Sequence, residues 1–198
     1  MLSLLPDVRG LTALDAGCGS GRYLQALADR GANAIGVDLS AAMLERARDS
    51  TTRIARADLR ALPFDAMSID LVVCGLALGD FAEIELALAE IARVLRPGGH
   101  AIYSVVHPAG EAEGWSRTFE SKGRQLAIDS FWHSLDNHRR ACAAAGLTID
   151  EWREPLIGNK RAVLVVRGRS RKPAPPEAGQ DNAALARRSN SKDQAEPR

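Results

Sequence analysis

Short apolar runs alternate with amphipathic segments over most of the chain. Each run has the length of a β-strand and is largely apolar, which is typical of strands that are covered on both faces of a sheet. The predicted strands occupy residues 11–14, 34–37, 53–57, 69–74 and 101–106. The pattern therefore predicts a buried sheet with helices on both sides.

The clearest helix is predicted over residues 81–95. Its apolar residues recur at helical spacing, at Ile84, Leu88, Ile91 and Leu95. Asp80 and Glu83 stand where a capping pair would begin this helix, and the sequence Arg-Pro-Gly-Gly at 96–99 would end it. Further helices are predicted beside residues suited to helix ends, over 23–30 before Gly31, 41–49 after Ser40 and 135–145 after Ser134.

Regular succession of strand and helix predicts right-handed crossovers and a mostly parallel sheet. We expect an α/β fold in which a doubly wound, seven-stranded sheet carries helices on both faces. Its last two strands, 147–152 and 162–167, are separated by turn-forming residues, so the last strand is predicted to be antiparallel. Residues 107–130 are rich in Gly, Glu, Ser and Arg, and we expect them to form an irregular excursion over the sheet edge.

The chain of 198 residues is somewhat longer than one typical domain, so we expect one domain with an appendage. The stretch 169–198 contains one Leu and no aromatic residue. Such a segment cannot bury enough apolar area to offset its chain entropy. We therefore assign residues 1–168 to the domain and 169–198 to a disordered polar tail. A basic tether for RNA or anionic lipid is the alternative for this tail, although its acidic residues dilute the charge.

The charge balance limits the partners. Lys plus Arg number 26 and Asp plus Glu 25, a net charge of +1, which argues against a nucleic-acid-binding protein. The longest apolar run, 71–78, is far below the roughly 18 residues that a membrane span requires, and the first residues do not resemble a secretory signal. Three widely spaced cysteines fit neither a disulfide framework nor a metal cluster, so we expect a cytoplasmic protein without a metal.

A glycine-rich turn joins the first predicted strand to the first helix, with Gly17, Gly19 and Gly21 spelling GxGxG. Glycines allow a tight turn and let a ligand approach amides at a helix N-terminus, which favours a carboxylate or phosphate. A dinucleotide fingerprint would require glycine where Arg22 stands, and the GK[ST] of a P-loop is absent.

Acidic residues end the next two strands. Asp38 ends the second strand, where a nucleoside lies in doubly wound sheets, and its carboxylate can accept hydrogen bonds from both ribose hydroxyls. Each such charge-assisted bond contributes about 1.5 to 3 kcal/mol. Asp58 follows the third strand and is placed to meet an adenine amino group.

Four ordered segments together resemble the class I S-adenosylmethionine-dependent methyltransferases, which have a Rossmann-like fold. These segments are LDAGCGSG, GVDLS with the following Met43, ADLRALPFDAMSIDLVVCGLAL and EIARVLRPGGH. The resemblance points to the small-molecule group related to quinone-ring and malonyl-carrier-protein methyltransferases and covers residues 11–107. The later AGLTIDEWREP and RAVLVV resemble the closing strands of that group.

The resemblance implies a set of residues that bind S-adenosyl-L-methionine. The methionine part falls to Asp15, Gly17, Cys18, Gly19 and Gly21; the ribose to Asp38, beside Leu39 and Met43; the adenine to Asp58 and Leu59; and the transferable methyl to the surroundings of Cys74, Gly75 and Leu76. An NPPY-type sequence, which would signal methylation of a planar amino nitrogen in nucleic acid or protein, is absent after strand four. As alternatives, Asp15 serves only the helix N-terminus, Asp58 is a solvated turn residue and Cys74 is a small core residue.

Two histidines are candidate bases for an acceptor that must lose a proton. His107 stands at the carboxyl end of the fifth predicted strand, and His133 is the second candidate. Histidine changes its charge near neutral pH, which suits this task. The aromatic residues Trp115, Phe119, Phe131 and Trp132 either wall an acceptor pocket or pack the excursion onto the domain.

We therefore expect an enzyme that transfers a methyl group to a small-molecule or carrier-bound acceptor. The alternative is a catalytically weak protein that binds the cofactor and acts as a scaffold or a partner-dependent subunit. Members of the family usually have a few dozen residues before the glycine turn, whereas ten residues precede Leu11 here. This difference leaves three expectations, namely a shortened enzyme, a homodimer or partner subunit that covers the site, and binding without turnover.

Overall fold

The fold is known from a computed structural model that describes residues 1–48, 53–121, 123–128 and 130–173. Its strands are β1 (Thr12–Ala16), β2 (Asn33–Asp38), β3 (Ile54–Arg56), β4 (Ile69–Gly75), β5 (Leu95–Val106), β6 (Arg117–Ser121), β7 (Arg124–Ile128), β8 (Leu147–Arg153), β9 (Leu156–Ile157), β10 (Lys160–Arg161) and β11 (Val163–Ser170). Its α-helices are α1 (Arg22–Ala28), α2 (Ala41–Ala47), α3 (Ile84–Val94), α4 (Ala109–Ala112) and α5 (Leu135–Ala144).

Seven strands form one sheet in the order β3-β2-β1-β4-β5-β11-β8. The pairs from β3 to β5 are parallel, and β11 runs antiparallel to both β5 and β8. The predicted doubly wound sheet with an antiparallel last strand is therefore confirmed. The chain reverses between β8 and β11 through the β9–β10 hairpin, whose turn contains Gly158 at φ +63°.

The core lies on both faces of the sheet. Along β4, Leu71 and Val73 pack into the layer beneath α1, whereas Val72 and Cys74 pack into the layer beneath α3 and α5. Successive side chains of a strand point to opposite faces, so a strand that is buried on both sides must be apolar throughout. This requirement explains the continuous apolar run that β4 shows in the sequence.

Serine side chains cap the N-termini of α2 and α5. The Ser40 hydroxyl accepts a hydrogen bond from Met43 N (3.3 Å), and the Ser134 hydroxyl accepts one from Asn137 N (3.1 Å), so both predicted N-caps are confirmed. Helix α2 ends at Ala47, and the last residue of the predicted helix 41–49 lies outside the described residues.

The predicted capping pair of α3 is wrong. The helix begins at Ile84, with Glu83 at the N-cap position but without a capping hydrogen bond from its side chain. Asp80 instead forms an ion pair with Arg117. The attraction comes from Arg117, which is distant in the sequence, so the spacing of residues around Asp80 does not reveal it.

The excursion after β5 is more regular than predicted. Within residues 107–130 the chain forms α4 and an antiparallel β6–β7 hairpin, with Gly123 at φ +70° in the turn. The expectation of an irregular segment is therefore wrong. Every side chain of β7 is exposed, so this hairpin carries no buried face that would produce a recognisable hydrophobic pattern.

Strand β11 extends beyond residue 168, the predicted end of the domain. Strand β11 runs to Ser170, and Lys172 Nζ donates hydrogen bonds to Ala92 O (2.6 Å) and Arg93 O (2.8 Å) at the C-terminal end of α3. A cation is favoured at the negative end of a helix dipole. Residues 174–198 of the predicted tail lie outside the described residues.

A search of the described helices for one with the length and apolar character of a membrane span finds none.

A buried carboxylate connects β1 to α1. Asp15 Oδ2 accepts a hydrogen bond from Leu24 N (2.8 Å) in the first turn of α1, whereas Asp15 Oδ1 has no hydrogen-bond partner within the described chain. Burial raises the pKa of Asp15 to about 7, because desolvation disfavours the charged form; the Leu24 amide opposes this rise and the Asp38 carboxylate adds to it. The first turn of α1 is thus hydrogen-bonded to the Asp15 carboxyl, whose pKa is about 7.

We expect Asp15→Asn to flatten the pH dependence of stability. The pKa of Asp15 is higher in the folded protein, about 7, than its ordinary value of 3.8, so its contribution to stability is full below pH 4 and is lost as the pH rises to about 7. Urea unfolding should show that the variant gains on the wild type between pH 5 and pH 8, by on the order of a few kcal/mol. Parallel pH profiles for the two proteins would contradict this assignment.

Candidate functional site

The strand order reverses between β1 and β4. From β1 the sheet continues to β2 and β3 on one side, and from β4 it continues to β5 on the other. The connections that leave β1 and β4 therefore diverge to opposite faces, and a crevice opens at the carboxyl ends of these strands. The glycine turn after β1 lies at this switch point.

Two adjoining cavities form a cleft at this edge. The β2–β3 cavity has a volume of about 430 Å³ and the hairpin cavity one of about 720 Å³. Both are lined by Gly17, Asp38, Ala77 and Asp80. The β2–β3 cavity is also lined by Leu39, Ala57, Asp58, Leu59, Arg60, Phe81, Ala82 and Phe131. The hairpin cavity is also lined by Gly19, Ser40, Ala42, Met43, Arg46, Gly75, Leu76, Arg117, Glu120 and Ile128.

The glycine turn requires glycine for two different reasons. A Cβ on Gly17 would lie 2.6 Å from Ala77 Cβ, so the end of β1 touches the segment after β4. Gly19 has φ +55°, and a Cβ there would meet no atom within 4 Å. Gly17, at φ +76°, therefore needs glycine both for its backbone conformation and for close packing, whereas Gly19 needs it for a left-handed conformation beside open space.

Asp38 organises the rim of the cleft. Its Oδ2 accepts a hydrogen bond from Gly19 N and its Oδ1 accepts one from Ser40 N, each at 2.8 Å. An ionised carboxylate offers about four acceptor positions, so two remain for a ligand. The side chain thus positions the turn and keeps acceptor capacity in the cleft.

Asp58 is engaged by a neighbouring arginine. Arg60 Nη2 donates to Asp58 Oδ2 at 2.7 Å and its Nε donates to Oδ1 at 3.1 Å, and these hydrogen bonds hold the pKa of Asp58 below its usual range. The Arg60 guanidinium also lies 5.5 Å from the centroid of the Phe81 ring. Together with Leu59, these side chains give the β2–β3 cavity a flat apolar wall with a charged edge.

The end of β4 has an unusual backbone. Leu76 has φ +64° and is 41 % exposed, and it lines the hairpin cavity beside Gly75. A Cβ on Gly75 would overlap the ring of Tyr23. A bulky residue in the left-handed region is strained, and such strain is concentrated at functional sites.

Most of the predicted cofactor-binding residues share this cleft. They are Gly17, Gly19, Asp38, Leu39, Met43, Asp58, Leu59, Gly75 and Leu76. Four others, Asp15, Cys18, Gly21 and Cys74, are not among the residues that line the two cavities. Cys74 packs in the core, where burial raises the pKa of its thiol to about 12. The role of each residue toward a cofactor stays a prediction.

The two candidate bases occupy different environments. His107 Nδ1 accepts a hydrogen bond from Ala109 N (3.1 Å), so its other nitrogen carries the proton and faces Glu154 Oε2 at 3.3 Å. His133 Nε2 donates to Phe81 O (2.8 Å), which leaves Nδ1 of a neutral ring as an acceptor. His133 lines a recess beside the cleft and His107 does not. Their catalytic roles stay predictions.

The recess lies at the carboxyl ends of β4 and β5. It measures about 10 Å³ and is lined by Leu76, Gly79, Val105, Val106, Arg117, Ser130, Phe131, Trp132, His133 and His138. Ser130 Oγ is buried there and has no hydrogen-bond partner in the described part of the chain. Burial lowers the pKa of His138 to about 4, so the inner wall carries a neutral imidazole.

The aromatic residues divide between the two predicted roles. Phe131 lines both the β2–β3 cavity and the recess, and Trp132 lines the recess. Trp115 packs against Gly110, where an added Cβ would lie 2.6 Å from the indole. The side chain of Phe119 lies outside what the structure describes.

Sequence reasoning missed the Arg117–Asp80 pair. Arg117 begins β6 and Asp80 follows β4, so this ion pair holds the hairpin against the end of the sheet. Arg117 lines both the recess and the hairpin cavity. No periodic signal links two charges that are 37 residues apart.

Comparison with solved structures finds related folds. An S-adenosylmethionine-dependent methyltransferase from Mesorhizobium loti superposes with a TM-score of 0.72 at 26% identity, over 84% of this chain and 94% of that one. A methyltransferase in complex with the Haloferax volcanii Trm112 methyltransferase activator gives a TM-score of 0.69 at 25% identity, over 86% of this chain and 87% of that one.

Comparison of sequences gives the same result. Residues 14–103 match a methyltransferase domain family. The malonyl-[acyl-carrier protein] O-methyltransferase of Salmonella typhimurium is 37% identical over 143 residues, which are 71% of this chain and 51% of that protein. The same enzyme of Dechloromonas aromatica is 36% identical over 152 residues, 72% of this chain and 54% of that protein. The chain therefore spans about half the length of these relatives. Together with the sheet order and the cleft at its switch point, these matches show a methyltransferase domain over residues 14–103, and this domain is similar to the class I S-adenosylmethionine-dependent methyltransferases.

Proposed function

We propose that this protein is an S-adenosylmethionine-dependent O-methyltransferase that esterifies a carboxylate of a small or carrier-bound acid. The observation that carries the proposal is the cleft at the switch point, where the glycine turn, the Asp38 carboxylate and the end of β4 face the same space. The relatives named as malonyl-[acyl-carrier protein] O-methyltransferases support a carrier-bound acid as the acceptor.

The residues of the cleft fit S-adenosyl-L-methionine. Asp38 keeps acceptor positions for the two ribose hydroxyls after binding Gly19 N and Ser40 N. Leu59, Phe81 and the edge of Asp58 suit a planar base, and the open side of Gly19 leaves room for the methionine part. When bound, the cofactor would supply a methyl group on a sulfonium sulfur. The acceptor oxygen would bond to the methyl carbon, and the electron pair of the broken carbon–sulfur bond would stay on the sulfur.

Acidic side chains in the cleft favour a cationic ligand. Asp38 and Asp80 line both cavities, and Glu120 adds a carboxylate to the hairpin cavity. Attraction between opposite charges is stronger in a partly desolvated cleft than in water. Arg46, Arg60 and Arg117 line the same two cavities, so the described walls carry four carboxylates and three guanidinium groups, a slight acidic excess that suits a sulfonium.

A carboxylate acceptor needs no general base, because it is already ionised near neutral pH. The protein then acts chiefly by holding the acceptor in line and excluding water. Both ring nitrogens of His107 already have hydrogen-bond partners, which agrees with a reaction that needs no histidine base. His133, with a free acceptor nitrogen beside the recess, stays the candidate base for an acceptor that carries a hydroxyl.

A partner-dependent subunit is the second candidate function. The solved methyltransferase bound to a Trm112 activator, at 25% identity, favours it. The described residues that line the cleft all fall between Gly17 and Phe131, so the segment before β1 contributes nothing to its walls. An activator, or a second copy of this chain, would then cover the cleft and raise the turnover.

We also place the protein in the cytoplasm. All three cysteines lie among the described residues and are unpaired and buried. Free thiols are maintained in reducing compartments. Partial digestion of intact cells with an external protease should leave the protein uncut if this placement is right.

Label transfer tests the activity directly. The protein is incubated with methyl-labelled cofactor and a malonyl-loaded acyl carrier protein, and the product is treated with mild alkali. A methyl ester releases the label as volatile methanol, whereas methyl groups on nitrogen or carbon stay bound. We expect volatile label that depends on the malonyl group. Tight cofactor binding without transfer, followed by transfer on addition of an activator subunit, would favour the second candidate instead.

We expect Asp38→Ala to weaken the binding of S-adenosylhomocysteine by at least about 100-fold, because two charge-assisted hydrogen bonds are lost. Calorimetry measures the affinity. Asp70→Asn is the matched control: Asp70 also accepts a backbone hydrogen bond, from Thr12 N (2.9 Å), but lies outside the cleft, so this variant should keep the affinity. Equal affinities of Asp38→Ala and the wild type would remove the ribose assignment.

A further inference from the structure

Arg117 occupies the junction between the cleft and the recess. Arg117 lines both the hairpin cavity and the recess, and so does Leu76. Gly75, at the end of β4, lines the hairpin cavity beside them. Arg117 therefore stands beside the end of β4, at the switch point of the sheet. Arginine presents a planar fork of donors that matches the two oxygens of a carboxylate.

The present partner of Arg117 is Asp80. The two side chains form an ion pair through Arg117 Nη1 and Asp80 Oδ1. The side chain of Asp80 is 42 % exposed and that of Arg117 is 26 % exposed. An ion pair with solvent access contributes little to stability, so exchanging Asp80 for another carboxylate costs little. Asp80 thus keeps the guanidinium at the junction and leaves it available.

The recess supplies a second donor of hydrogen bonds. Ser130 Oγ is buried and has no partner among the described residues, and a buried unpaired hydroxyl costs free energy that a ligand can recover. At about 10 Å³ the recess holds one water-sized group. A carboxylate oxygen fits this space, whereas an aromatic ring does not.

We propose that Arg117 and Ser130 form the binding site for the acceptor carboxylate and so determine the specificity for acids. One carboxylate oxygen accepts hydrogen bonds from the Arg117 guanidinium in place of Asp80, and the other oxygen enters the recess and accepts one from the Ser130 hydroxyl. This assignment rests on the proposed function and names the residues that select its acceptor.

A purely structural role for Arg117 makes a different prediction. The ion pair with Asp80 attaches the hairpin to the sheet, so its loss would disturb every ligand of the hairpin cavity alike. Under that role, removing either partner has the same effect. Under the proposed role, the loss of Arg117 or Ser130 lowers the preference for an acid over its ester, whereas the loss of Asp80 does not lower it.

The test compares two ligands that differ by one charge. Malonyl-pantetheine and its methyl ester are titrated by calorimetry against the protein saturated with S-adenosylhomocysteine, so that no turnover occurs. The wild type should bind the acid at least about 10-fold more tightly than the ester, as expected for hydrogen bonds to a charged group. Arg117→Gln should bring this ratio to about 1, Arg117→Lys should retain part of it, and Ser130→Ala should lower it several-fold.

Two further variants separate the roles. Arg124→Gln removes a charge from the same hairpin without touching the cleft or the recess, so the ratio should stay at the wild-type value. Asp80→Asn removes the competing carboxylate, so the acid should bind more tightly relative to the ester. If Asp80→Asn and Arg117→Gln instead weaken both ligands equally, Arg117 serves only to attach the hairpin.

The outcomes also distinguish this assignment from the proposed function. If the wild type prefers the acid and the Arg117→Gln variant keeps the full preference, the assignment of Arg117 and Ser130 is overturned. The proposed function then still stands. A wild type that binds S-adenosylhomocysteine but neither malonyl ligand overturns the acid acceptor and the assignment with it. The label-transfer assay then shows whether another acceptor is methylated.

Discussion

The carboxylate of Asp38 holds the functional edge of the sheet together. It accepts one hydrogen bond from Gly19 N in the turn after β1 and another from Ser40 N at the start of α2, so one side chain fixes the geometry of two loops. Both bonds use backbone amides that would otherwise be unpaired at helix or turn termini. Because Asp38 also lines both cavities of the cleft, the group that shapes the site belongs to it.

Charge arranges the rest of the cleft. Asp38, Asp58 and Asp80 line the cleft, and Arg60 and Arg117, which line it too, form ion pairs with Asp58 and Asp80. Carboxylates suit a cationic sulfonium, and an arginine at the junction with the recess suits an anionic acceptor. The carboxylates and the Arg117 guanidinium therefore allow one cleft to bind a cationic methyl donor and an anionic acceptor. Methyl transfer between these two ligands requires both to be bound.

The sequence predicts the fold well because its strongest signals are local and repeated. A sheet buried on both faces requires apolar strands such as β4, and Ser40 and Ser134 cap their helices through neighbouring amides. The β6–β7 hairpin escaped prediction because its second strand is exposed throughout. The cluster of Gly19, Asp38 and Gly75 at one edge follows from strand order and was expected. The Arg117–Asp80 pair and the unpaired Ser130 hydroxyl depend on packing between distant segments, which no short motif encodes.

We expect a nucleoside with an amino-acid end to occupy the switch-point cleft with its ribose on Asp38. Crystals soaked in an equimolar mixture of S-adenosylhomocysteine and NAD⁺ test it most directly. The account predicts density for S-adenosylhomocysteine alone, with both ribose hydroxyls within hydrogen-bonding distance of the Asp38 carboxylate. Density for the dinucleotide, or a ribose that contacts other groups, would contradict it.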